Sequence, residues 1–141
     1  MIKSIHDALW EWISQCAHIT KLFFNFSTAN DGDTMISNAG DILIEEYLAG
    51  SQKRRYSFEL IRFLPLTVLE NDPSNVAMME DVDAIVQWIE DQTEADNLPK
   101  LPEGYSVESI VNLDTYTGVI AAQDENMAKY MIPFAMDYMK G

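Results

Sequence analysis

A β-hairpin between residues 41 and 65 constrains the fold more than any other part of the sequence. Its first arm is DILIEEYL (41–48), residues 49–52 form the turn, and the second arm runs from Lys53 to Leu64. The second arm alternates between two faces, and Pro65 ends the run. Period-two alternation with β-branched and aromatic residues, bounded by a Gly-Ser turn and a proline, is typical of a hairpin. We therefore expect this hairpin to form the centre of a sheet.

One face of the second arm is apolar except at Arg62. Its other members are Tyr56, Phe58, Leu60 and Leu64. The opposite face carries Ser57, Glu59, Ile61 and Phe63. The alternation predicts a β-strand with these two faces.

The turn end of the hairpin is charged. Glu45 and Glu46 lie in the first arm, and Lys53, Arg54 and Arg55 lie in the second. Opposite charges across a ladder contribute roughly 0.2–1 kcal/mol per pair, so we expect these residues to pair near the turn. The basic triplet is the only concentrated positive charge in the sequence and is our first candidate for a contact surface.

The size and charge of the chain exclude several classes of protein. With 141 residues, 48% of them hydrophobic, the sequence predicts a single domain over residues 1–141. A net charge of −14 argues against binding to nucleic acid or to an anionic membrane. Cys16 is the only cysteine, which fits a reducing cytoplasm. The N-terminus has no signal-peptide pattern, and no apolar run reaches the roughly eighteen residues of a membrane span.

Apolar spacing predicts two main helices. The first covers residues 4–17, with Ser4 and Asp7 at its start, and the second runs from Asp72–Pro73 to about Ala95. We expect the acids of the second helix to form a solvated face: Glu80, Asp81, Asp83, Glu90, Asp91 and Glu94. Short strands are expected at residues 21–28 and 34–37, with a turn at 29–33 between them.

Three further strands are expected after a proline-containing loop at residues 97–104. They cover 105–113, 115–122 and 127–140, with a turn at 123–126. Pro133 cannot donate to a ladder, so the last strand is expected to be an edge or to carry a bulge. Two interpretations stay open for Tyr130, Met136 and their neighbours: an edge that extends into a partner subunit, or side chains that fill gaps in the core.

The order of these elements predicts an α+β fold, with a mainly antiparallel sheet and both helices packed on one face. The sequence has no glycine-rich phosphate loop, no Ser-His-Asp arrangement and no Cys/His cluster. Asp31-Gly32-Asp33 lacks the further ligands of a calcium loop, and Cys16 lies on the apolar stripe of the first helix. We therefore expect a binding or structural protein with no cofactor or metal. A hydrolase that uses Asp31, Asp33 or the helix acids is the minor alternative.

Three stretches together resemble a family of small proteins encoded in the tail-gene region of Firmicutes siphophages and prophages. YLAGSQKRRYSFELIRF (47–63) is similar to that family's Y-x-x-G-S-x-x-R-x-Y-x-F hairpin. WIEDQT (88–93) followed by the loop NLPKLPEG (97–104) is similar to its helix end. The closing strand at 125–138 matches in pattern. The resemblance covers most of the chain from Tyr47 onward.

The resemblance implies a tail terminator, a virion protein of the tail or neck that assembles in the host cytoplasm. Such proteins share an α+β fold, form a hexameric ring that caps the tail tube, and offer a surface to the head connector; many are monomers until they meet the tube. A minor capsid or head–tail joining protein belongs to the same class. A small acidic host adaptor that recruits basic partners is the alternative from another class.

We expect partner contacts at two charged surfaces and on the last strand. In a head-to-tail ring, each subunit would present its basic tip to the acidic helix face of its neighbour. The candidate interface residues are Lys53, Arg54, Arg55, Arg62, Glu80, Asp83, Tyr130 and Met136.

Overall fold

The structure is a computed structural model and describes residues 4–25, 32–65, 73–113, 119–123 and 127–141. Two helices and six strands form within these ranges, and they confirm the expected α+β fold class. In chain order they are α1 (Ile5–Ile13), β1 (Lys21–Phe24), β2 (Asp33–Glu46), β3 (Gln52–Pro65), α2 (Pro73–Glu94), β4 (Tyr105–Asn112), β5 (Val119–Gln123) and β6 (Met127–Lys140).

The strands form one sheet in the order β1-β2-β3-β6-β4, and β5 also pairs with β6. Only the β1–β2 pair is parallel among the described strands. The predicted hairpin of β2 and β3 is confirmed. The expected turns at 29–33 and 123–126, the start of the second helix at Asp72 and the first part of the strand at 115–122 lie mostly outside the described residues.

The first arm of the hairpin is longer than we expected. The short strand predicted at 34–37 and the arm predicted from Asp41 are one continuous strand, β2. A register shift between Asn38 and Gly40 joins them: the Gly40 amide donates to Asn38 Oδ1 at 2.7 Å, and Gly40 has φ +138°, which favours glycine. A bulge at this point joins the two segments into one strand.

The last strand lies inside the sheet, so the prediction of an edge or a bulge at Pro133 is wrong. β6 pairs with β3 on one side, in unbroken register, and with β4 and β5 on the other. The Pro133 carbonyl accepts from the Leu113 amide at 3.0 Å, and the N and O of one strand residue point to the same neighbour. The proline nitrogen therefore faces the side on which β4 has ended at Asn112 and β5 begins at Val119, where it costs little.

Both helices pack on one face of the sheet. Ser4 Oγ accepts from the Asp7 amide at 3.1 Å and caps α1, as expected. Trp12 of α1 and Trp88 of α2 meet with ring centroids 5.3 Å apart. The core is made of apolar side chains from the helices and the sheet, including Leu9, Ile13, Cys16, Tyr56, Phe58, Leu60, Val82, Ile85, Ile89, Ile132 and Phe134. Burial raises the pKa of the Cys16 thiol, which keeps it protonated.

Candidate functional site

The hairpin end is built by the residues of its turn. The Tyr47 amide donates to the Ser51 carbonyl at 2.8 Å, and the Gly50 amide donates to the Tyr47 carbonyl at 2.9 Å. Gly50 has φ +91°, a conformation that side chains disfavour. Three residues of the Y-x-x-G-S motif therefore set the turn.

The basic triplet lies at this end, but its partners differ from the prediction. Lys53 pairs with Glu108 at 3.3 Å. Arg54 pairs with Asp41 at 3.0 Å. The expected pairing with Glu45 and Glu46 is wrong, although Glu45 lies opposite Lys53 in the ladder. A register shift between Leu43 and Glu45 interrupts the ladder just before these acidic residues.

The third cation is held most firmly. Arg55 lies opposite Asp137 of β6 and donates from Nε and Nη2 to its two oxygens, at 2.8 and 3.1 Å. This bidentate hydrogen bond holds the pKa of Asp137 below its usual range. All three cations are thus paired within the chain, and a neighbouring subunit would compete with these partners.

An apolar patch surrounds the turn. We call it the apolar end: Ile42, Leu43, Ile44, Tyr47 and Leu48, with 56, 46, 41, 39 and 110% of their surfaces exposed. Sequence reasoning missed it. The signal was three consecutive aliphatic residues in a hairpin arm, which places apolar side chains on both faces of the strand near its tip, where the chain has little to cover them.

Arg62 does not belong to any surface. It is 6% exposed and donates to Asp81 of α2 at 2.9 and 3.2 Å, to Thr34 Oγ1 at 2.7 Å, and to the Gly32 and His18 carbonyls at 2.9 and 3.2 Å. Its assignment as an interface residue is wrong, and so is that of Asp81 to the solvated helix face. The signal was present: a cation on an apolar strand face and an acid next to Val82 on the apolar stripe.

The other candidates divide between core and solvent. Tyr130 and Met136 are 2% and 0% exposed, because β6 is central and their side chains face the helices. They fill the core, and the interface assigned to them is wrong. Glu80 and Asp83 are exposed on α2, as expected of a solvated face.

A pocket of about 400 Å³ with a mixed polar and apolar lining opens beside the start of α1. His6 Nδ1 lies 2.6 Å from Tyr56 Oη and 3.3 Å from Asn38 Nδ2. The Asn38 amide nitrogen can only donate, whereas the roles of His6 Nδ1 and the Tyr56 hydroxyl depend on which ring nitrogen carries the proton. Burial raises the pKa of Tyr56 to about 12. A tyrosine held this firmly in its neutral form is a poor base or nucleophile.

The same polar cluster continues to the hairpin. Tyr138 Oη donates to Asp41 Oδ2 at 2.5 Å, and Arg54 holds the other oxygen of that carboxylate. Burial, together with this hydrogen bond, raises the pKa of Tyr138. Asp41 is therefore a structural link between the first arm and β6.

Within the described ranges, no three histidine, cysteine or acidic side chains lie close enough to hold a metal ion. Asp31 of the Asp31-Gly32-Asp33 stretch lies outside those ranges. Neither described helix is long and apolar enough to cross a membrane. No protein-family model matches the chain, and no curated protein matches it.

Proposed function

We propose that the protein is a virion structural protein of a long-tailed phage or prophage, a tail terminator. In this role it forms a ring, most simply a hexamer, that caps the tail tube and meets the head connector. The proposal assigns it no enzymatic activity.

The observation that carries the proposal is the apolar end of the hairpin. Leu48 and Ile42 are more than half exposed at a tip whose strands are otherwise well ordered by hydrogen bonds and ion pairs. A rigid strand end with an apolar patch is typical of a surface that is covered in an assembly. For a protein that acts alone, an exposed apolar patch adds no buried surface and no stability.

The residues that carry the family resemblance also support the proposal, because each has a role in shaping this hairpin. Gly50 sets the turn, and Arg54 is tied to Asp41. Phe58 stacks on Phe134 of β6, with centroids 5.4 Å apart and planes 14° apart. The resemblance therefore rests on a structural unit and not on scattered identities.

Negative-stain microscopy of the protein, alone and mixed with tail-tube subunits, tests the proposal. We expect rings or capped tubes with the wild type and open tubes with the double variant Ile42→Ser, Leu48→Ser. Val76→Ser is the matched control, since Val76 is also 60% exposed but lies on α2. It should cap normally.

The other outcomes assign the protein elsewhere. Binding to the head connector without any effect on tubes favours a head–tail joining or minor capsid protein. Loss of capping in both variants alike would show that the apolar end has no special role. Binding only to basic peptides, through exposed acids such as Glu80 and Asp83, favours the host adaptor.

A further inference from the structure

The outer edge of β2 is only partly paired. β1 lies beside Asp33–Ile36, and Asn25 follows with its amide on the Ile36 carbonyl and its side chain on the Asn38 amide. From Ala39 to Glu46, no strand of the described residues pairs on that side. More than half of this long strand is therefore an open edge, which is a template for another strand.

The backbone groups of this edge point outward at known positions. The backbone N and O of Pro133 point away from β3. Because Glu59 lies opposite Pro133 and exchanges no hydrogen bond with it, the N–H and C=O of Glu59 point the other way, toward β2. The direction of the backbone groups alternates along β3, so the N–H and C=O of Tyr56 and Arg54 point toward β6. Their partners in β2, Asp41 and Leu43, must then direct N–H and C=O toward the outer edge.

The charge along the edge is negative. The basic triplet is neutralised by Glu108, Asp41 and Asp137, whereas Glu46 forms no ion pair within the described residues. Among the described residues, Glu45 accepts a hydrogen bond from the Tyr47 hydroxyl alone, at 3.2 Å. The side chains before them are the exposed aliphatic residues of the apolar end.

A second copy of the chain fits this edge less well than a basic segment does. Antiparallel self-pairing centred on Leu43 would place Asp41 opposite Glu45 of the other copy. Like charges across a ladder destabilise it, and each chain has a net charge of −14.

We propose that the β2 edge from Ala39 to Glu46 binds an extended segment of a partner protein as an added strand. The segment carries Lys or Arg opposite Glu45 and Glu46 and aliphatic residues beside Ile42–Ile44. Backbone hydrogen bonds supply affinity, and the two kinds of side chain select the partner. This inference rests on the proposed function, because it names the surface and the chemistry by which a virion partner is held.

Calorimetry with a capped peptide of sequence Lys-Lys-Val-Thr-Val-Lys-Lys tests the proposal. The peptide is symmetric in charge, so it serves either strand direction. We expect binding that weakens with salt, and binding at least about tenfold weaker for the Glu-for-Lys version. Leu43→Pro removes an outward amide and should lose a similar factor relative to Leu43→Ala, which removes the same side chain but keeps the amide.

A peptide N-methylated at alternate residues is the second probe, and it does not depend on the folding of a variant. It keeps every charge but loses strand hydrogen bonds, so it should bind at least about tenfold more weakly. Equal binding of the methylated peptide, equal binding of the Glu peptide, or no binding at all would each overturn the proposal. Dimers of the protein that Leu43→Pro dissociates would assign the edge to a second copy. Capping of tail tubes is measured in a separate experiment. Peptide binding can therefore fail while capping succeeds, and the reverse.

Discussion

The base and the end of one hairpin have opposite environments. At the base, Ile36 and Leu60 are fully buried under both helices, and Arg62 is enclosed by hydrogen bonds. At the end, Ile42 and Leu48 are exposed, and the Arg54–Asp41 ion pair is partly exposed. Both halves belong to the same antiparallel strand pair, and both contain aliphatic side chains.

This difference in side-chain burial indicates that the hairpin is longer than the fold requires. From the level of Tyr56 toward the turn, every residue of β2 from Asp41 to Glu46 is exposed. The strands beyond that level add little buried apolar area, so their contribution to folding is small. Their aliphatic side chains are better explained by contacts made outside the chain.

The largest effect is expected from Arg62→Ala at the base. It leaves the Asp81 carboxylate and the His18 and Gly32 carbonyls without their donor, at a cost of about 3–5 kcal/mol in the free energy of unfolding. Arg55→Ala at the end is the matched control. The Arg55 side chain is 40% exposed and its partner Asp137 is 13% exposed, so the expected loss is smaller, about 1 kcal/mol. Denaturant titration measures both, and equal losses would abolish the distinction between base and end.

The next effect appears on raising the pH. Burial raises the pKa of Tyr56 from 10.0 to about 12 in the folded protein. Above pH 10 the unfolded chain releases this proton first, so stability present below pH 10 falls between about pH 10 and 12, by about 2–3 kcal/mol. Tyr56→Phe cannot titrate there. Thermal unfolding of both proteins across this range should show a steeper loss for the wild type, and parallel curves would contradict the assignment.

Much of this arrangement could be predicted from the sequence because it depends on local patterns. The second arm of the hairpin and the stripe of α2 repeat with the period of their own element, and Ser4 caps its own helix. The contact of Arg62 with Asp81 joins residues from different elements. Each of these two residues stood out in the sequence as a charge within an apolar pattern. The periodicity of one element, however, gives no information about which residue of another element it contacts.

The order of strands was harder to predict for the same reason. β3 and β6 are far apart in sequence, and only tertiary packing places β6 at the centre. Pro133 indicated an edge strand because a proline cannot donate a hydrogen bond to a neighbouring strand. In the structure, its nitrogen faces the gap between the end of β4 and the start of β5, so no donor is needed there. Partner surfaces are harder still to predict from sequence. We assigned alternating faces from the second arm, and the consecutive aliphatic residues of the first arm, which form the apolar end, do not follow that pattern.

The smallest effect is expected from Leu48→Ala, and it sharpens the comparison most. Leu48 is fully exposed, so truncation should change the free energy of unfolding by less than about 0.5 kcal/mol. Leu60→Ala makes the same chemical change at the base, where a cavity and lost burial cost about 2–5 kcal/mol. Denaturant unfolding of the two variants gives the contrast. A loss above about 1 kcal/mol for Leu48→Ala would mean that the chain itself covers the tip. The apolar end would then belong to the fold, and the assembly surface would have to be sought elsewhere.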